Sequence, residues 1–207
     1  MIKNASGSLA AAMSVTAIVI AGFATAAPSQ DTPAKAGNAS ATTPLSRGPI
    51  AVYDGACARC HGPNGSFYGP TLGQGKTDEE LRKVIQDMAD GPGNETLTPA
   101  ELDSQTAYHR ALIRKEPFVA VIVRNGDKIE GEVTSGATVS VRRKDANTAP
   151  NAEQTAKVDG SHWSVSVPGI NASDALIVTA RLDKTDVSID TSQHLWSHTD
   201  PLPAPKK

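Results

Sequence analysis

The chain has 207 residues, and its 20 basic and 22 acidic side chains leave a formal charge of −2. That balance excludes the broad cationic surface on which nucleic-acid binding rests. Two cysteines are too few for a disulfide-stapled scaffold, and the length suits one domain or two small ones.

The first residues, "MIKNASGSLAAAMSVTAIVIAGFATAAPSQ", carry one positive side chain, Lys3, then a charge-free apolar run from about Leu9 to Phe23. Ala24-Thr25-Ala26 follows, the small-residue pattern of a secretory cleavage site. Cleavage is expected after Ala26, because a cut after Ala27 places Pro28 directly behind the scissile bond. The apolar run is shorter than the roughly 20 residues a membrane span needs. Residues 1–26 therefore read as a signal peptide and the mature chain as periplasmic, in a Gram-negative-type bacterium, where conditions are oxidising. Losing Lys3 takes the formal charge to −3. Residues 27–48 are dominated by Ala, Ser, Thr and Pro, with Leu45 the one large apolar residue, and read as a flexible linker.

From 49 to 115 the pattern is helical. Pro49 suits a first helical position, and "TDEELRKVIQDMAD" opens with a capping box, Thr77 with Glu80. Leu81, Val84, Ile85 and Met88 then recur at helical spacing. A second box, Thr98 with Glu101, opens "TPAELDSQTAYHRALIRK", with Pro99 between them. From 116 to 196 the period changes to two, in six or seven short runs such as "FVAVIVRNGD", "ATVSVRR" and "ALIVTARL". Asn125-Gly126 and Asp159-Gly160 are hairpin-type turn pairs. Trp163, alternating with Val165 and Val167, reads as core, and Arg142, Arg143 and Lys144 as a solvated strand end. The predicted fold class is multidomain: a small all-α domain, then an all-β immunoglobulin-like sandwich. Residues 197–207 read as a loose tail.

Both cysteines stand in "CARCH", residues 57–61. On one helical turn, positions i, i+3 and i+4 face the same way, so Cys57 and Cys60 point together with His61 beside them. C-x-x-C-H is the attachment signature of c-type haem: each thiol adds to one vinyl group and the imidazole ligates iron. The motif has three other readings. A redox-active C-x-x-C belongs near a βαβ pattern, which the sequence lacks. Structural zinc needs four ligands, commonly from two Cys/His pairs, and there is no second pair. A plain Cys57–Cys60 disulfide is chemically possible in the periplasm.

The run "YDGACARCHGPNGSFYGPTLGQG", with "TDEELRKVI" and "LTPAELDSQTAYHRAL" behind it, resembles the mono-haem cytochrome c family over about residues 49–115. The resemblance implies one covalent haem c on Cys57 and Cys60, with His61 as proximal axial ligand. It implies that Pro70, in G-P-x-L, offers its carbonyl to the other nitrogen of His61, and that Leu72 lines the haem pocket. The family's Met-Pro is missing, and "DMADGPGNETLTP" stands in its place. Met88 is then a possible sixth ligand, and its spacing also suits a core residue. His109 is the next ligand candidate in this segment, or else a partly exposed histidine on the last helix. His162, His194 and His198 read as surface residues and Trp196 as a possible surface contact.

These readings converge on a periplasmic carrier of single electrons, with the strand-rich region docking a periplasmic redox protein or a membrane-complex subunit. No paired carboxylates, Ser-His-Asp arrangement or phosphate loop suggests substrate chemistry by the protein itself, so an electron carrier is expected rather than a stand-alone enzyme. One alternative is a five-coordinate haem protein that binds small ligands or peroxide. Another is a secreted interaction module with a structural haem.

Overall fold

The computed structural model describes residues 43–73, 75–145 and 153–198. The signal-peptide reading, the linker reading up to residue 42 and the tail from residue 199 lie outside them. All described residues belong to one compact unit.

The CARCH-bearing helix runs from α1 (Pro49–Val52) through five π-helical residues, Tyr53–Cys57, into α2 (Ala58–His61). Its N-cap is Gly48, which has no side chain to satisfy the first amides. A distant carboxylate does so: Glu132 accepts the N–H of Ile50 on Oε2 at 2.6 Å and that of Ala51 on Oε1 at 3.1 Å. Glycine at 48 follows from this approach, since a Cβ there would land on the Glu132 carboxylate.

Helix α3 (Asp78–Met88) and helix α4 (Pro99–Arg114) both begin with the expected reciprocal capping boxes, Thr77 with Glu80 and Thr98 with Glu101. Leu81 and Ile85 of α3 pack on Leu102 of α4, whereas Val84 is half-buried and Met88 is exposed. A π-helical turn, Ala89–Gly93, ends α3. Lys115, with φ of 57°, ends α4.

Eight strands follow: β1 (Val119–Asn125), β2 (Lys128–Val133), β3 (Thr138–Arg143), β4 (Glu153–Thr155), β5 (Lys157–Asp159), β6 (His162–Ser166), β7 (Leu176–Leu182) and β8 (Thr185–Asp190). They form two four-stranded antiparallel sheets, ordered β1-β2-β6-β5 and β4-β3-β7-β8. Both expected hairpins form, with Asn125 opposite Lys128 and Asp159 opposite His162. Period-two alternation sends Val119, Val121, Ile129, Val133 and Trp163 from one sheet, and Val139, Val141, Val178 and Ile189 from the other, into one core. The Trp163 indole N–H, fully buried, donates to the Glu132 carbonyl at 3.1 Å.

The structure corrects the expected fold class. There is no small all-α cytochrome domain standing apart from a sandwich; the described chain is predominantly β, and its short helices share a core with the sheets. Apolar supply is the reason. The α3–α4 contact buries only Leu81, Ile85 and Leu102 as its own cluster. Tyr53, Tyr108 and Ala111 close their core only with Phe118, Ala120 of β1 and Trp196. Helical periodicity was readable in the sequence; the inability of these helices to cover themselves was not.

Both flanks are also tied down. Leu45, at the end of the expected linker, is buried in the same core. Trp196 is buried, not a surface contact, and bridges Ala120. The N–H of Val121 donates to the Leu195 carbonyl at 2.7 Å, and that of Ser197 to the Val119 carbonyl at 2.8 Å. This segment covers the outer edge of β1, an edge that would otherwise offer unpaired backbone groups. Among the described residues no helix is long and apolar enough to cross a membrane.

Glu101, 2 % exposed, gathers Ser46 Oγ and Arg47 Nε, each at 2.9 Å, and the Thr98 amide at 2.9 Å. Burial raises its proton affinity, but the hydrogen bonds from Arg47, Thr98 and Ser46 outweigh that and hold it at about 2, against an ordinary 4.5. A depressed carboxyl contributes stability that is present above the ordinary value and lost as pH falls through the folded one. Urea midpoints should therefore fall between about pH 4.5 and 2, and Glu101→Gln should flatten that dependence while lowering the midpoint at neutral pH. Glu132→Ala strands two helix amides and should cost about 1–3 kcal/mol in the same measurement.

Candidate functional site

The C-x-x-C-H residues are carried on a turn of mixed pitch. In the π-helical stretch the Ala58 N–H bonds to the Tyr53 carbonyl, five residues back. π-Bulges of this kind recur at functional sites. Cys57 closes the stretch and is half-buried, Cys60 is exposed, and His61 at the end of α2 is half-buried. Both thiols are free. Burial, with the charges of Glu95 and Cys60, raises the Cys57 thiol above its ordinary value. Nucleophilic cysteines of disulfide oxidoreductases are shifted the opposite way. Together with the purely antiparallel sheets, this counts against the redox C-x-x-C reading.

His61 and the peptide that follows it are fixed by three contacts. Its carbonyl accepts the Phe67 N–H at 2.9 Å, and the next carbonyl, of Gly62, accepts the buried Tyr53 hydroxyl at 2.9 Å. Gly62 has φ of 73° and ψ of 162°, a conformation essentially reserved for glycine, and a Cβ there would run into Ser66 Oγ and meet the Phe67 ring at 2.9 Å. The third contact is to the imidazole itself. The Tyr68 ring meets it edge-on, with centroids 5.2 Å apart and planes at 68°.

Tyr68 leads to a buried polar side chain. Its hydroxyl lies 2.6 Å from Nδ1 of His109 on α4, and the two rings stack at 5.9 Å. His109 is 8 % exposed, so the expectation of a partly exposed histidine is corrected. Its Nε2 has no hydrogen-bond partner among the described residues. Burial first, and the charge of His61 second, push its pKa down to about 3, so the ring is neutral. A buried, unsatisfied polar atom costs about 1–3 kcal/mol. From His109 the ring contacts continue through Tyr53 at 5.4 Å and Tyr108 at 5.5 Å to Phe118 at 5.1 Å.

The other predicted site residues are not gathered into a pocket: Pro70 is exposed, Leu72 is 37 % exposed and Met88 49 %. Met88 is thus not the core residue its spacing suggested. Its turn does lie near the motif, because Arg59 Nη2 donates to the Pro92 carbonyl at 3.2 Å. His162 and His198 are exposed and His194 is half-buried, its ring stacked on that of His198 at 5.4 Å.

The residues present fit a haem. Two accessible free thiols and an imidazole are the donor set it requires. A four-ligand zinc site finds less support: among the described residues no group of three or more His, Cys, Asp or Glu is placed to hold a metal ion.

Sequence reasoning did not single out Tyr53 or Tyr68. Nothing in their spacing separates an aromatic that orients a ligand from one that fills a core. No protein-family model, curated protein or solved structure matches the chain.

Gly62→Ala should destabilise the protein by about 1–3 kcal/mol through the backbone conformation alone. The steric conflict with Phe67 adds to this, and the total is read from the thermal midpoint.

Proposed function

We propose that this chain is an exported c-type haem protein that carries single electrons. Cys57 and Cys60 hold the haem through thioethers, and His61 ligates its iron. The observation that carries this reading is the placement of two free thiols and an imidazole within five positions on one helical turn. When bound, the haem supplies reversible one-electron chemistry at iron.

The chain's own residues do the rest. Tyr53 and the Phe67 amide keep the backbone on either side of the His61–Gly62 peptide in place, so the imidazole is presented in one orientation. The half-buried Cys57 and the exposed Cys60 would hold the group on a turn at the protein surface, where a partner can dock. Pro70 and Leu72 would belong to the haem pocket, as the family resemblance implies. The partner is a periplasmic redox protein or a subunit of a membrane complex, and the two sheets provide the docking body.

The half-exposed Met88 favours a second reading, in which only His61 holds the iron and the opposite side takes a small ligand. Carbon monoxide separates the two. For the carrier, the ferrous spectrum of the wild type is expected to ignore carbon monoxide, while Met88→Ala responds to it. A wild-type response supports the second reading.

The haem itself is tested on full-length protein made in a host competent for covalent haem attachment. Denaturing mass spectrometry and a pyridine haemochrome assay should find one retained haem, and Cys57→Ser with Cys60→Ser should find none. Colourless wild-type protein lacking that mass refutes both readings.

A further inference from the structure

Tyr68 and His109 take no part in attaching a haem, yet Tyr68 stands against the one imidazole that would ligate it and His109 holds Tyr68. The Tyr68 ring stands 5.2 Å from that of His61, and its hydroxyl is held 2.6 Å from Nδ1 of His109. His109 is held in turn between Tyr68, stacked at 5.9 Å, and Tyr53, edge-on at 5.4 Å. This arrangement is expensive. His109 is 8 % exposed and its Nε2 has no partner among the described residues, a loss that leucine at the same place would not incur. A polar pair kept where an apolar side chain would pack at lower cost points to a positioning task.

We infer that Tyr68 is the positioning residue of the site and His109 its anchor, together fixing the ring plane of His61 and, through it, the reduction potential of the haem. The inference rests on the haem reading above. Groups that touch an iron-ligating imidazole set its orientation and basicity, and these tune the metal. The phenol and the imidazole nitrogen share one hydrogen bond, its direction set by the tautomer of His109.

The test uses full-length, haem-loaded protein with Tyr68→Phe, His109→Leu and His109→Gln. Potentiometric titration, ferric electron paramagnetic resonance and thermal unfolding are the readouts. Tyr68→Phe deletes one oxygen and keeps the ring. It should change the ferric-to-ferrous ratio at fixed applied potential by roughly threefold or more and broaden the ferric signal. His109→Leu should do the same while unfolding at an equal or higher temperature, and the double variant should go no further than either single one. His109→Gln, whose side-chain amide can donate or accept, should return the signal toward wild type. A Tyr68→Phe protein with wild-type ratio and signal overturns the inference and leaves the haem reading standing. Wild-type protein without haem overturns both. If His109→Leu fails to fold, Tyr68→Phe decides alone.

Discussion

The Glu132 carboxylate sits on the first amides of α1, and the rest of the arrangement depends on that contact. A helix beginning at Gly48-Pro49 has no cap of its own, and its first N–H groups need acceptors. The acceptor comes from a strand more than eighty residues away. Both oxygens are used, the residue is 7 % exposed, and burial raises its proton affinity despite the two amides. The backbone carbonyl of Glu132 receives the Trp163 indole N–H. One residue thus joins the centre of the sheet core to the start of the helix that carries CARCH. The strands are consequently part of the site's foundation and not an appended module.

A second connection runs through aromatic rings. Phe118, Tyr108, Tyr53, His109, Tyr68 and His61 follow one another at centroid distances between 5.1 and 5.9 Å. Edge-to-face and offset pairs at such distances are favourable beyond the area they bury. They also hold each ring at a set angle to the next. The imidazole at the end of this series is therefore fixed from α4 and from Phe118, just before β1, as well as from its own turn. For the proposed single-electron carrier this would suit the task, since a ligand held by its surroundings would change little as the metal changed charge.

Much of the local structure was legible in the sequence. Thr77 with Glu80 and Thr98 with Glu101 announced both longer helices, and both boxes form. Asn125-Gly126 and Asp159-Gly160 announced two hairpins, and both turns lie where the strands pair. Such signals act within a few residues, so a linear reading captures them. Met88 shows the limit. Its spacing from Leu81 and Ile85 implies the buried face, but α3 gives way to a π-helical turn immediately after it, and the side chain emerges at the surface. Leu45 and Trp196 mislead in the opposite direction: each lies in a polar, irregular stretch, and each is buried against the other half of the chain.

The sequence alone determined the chemistry of the candidate site: two thiols and an imidazole within five positions, placed together by the geometry of one helical turn. It also determined where helices start and strands reverse, because caps and turns are chosen by neighbours in the chain. Only the tertiary structure decided that the helices have no core of their own, that Glu132 supplies the missing cap, and that His109 lies buried behind Tyr68. Those outcomes depend on which apolar surfaces remain uncovered after local folding and on what lies opposite them. Periodicity marks the face a helix will bury, but only the folded chain determines what that face is buried against.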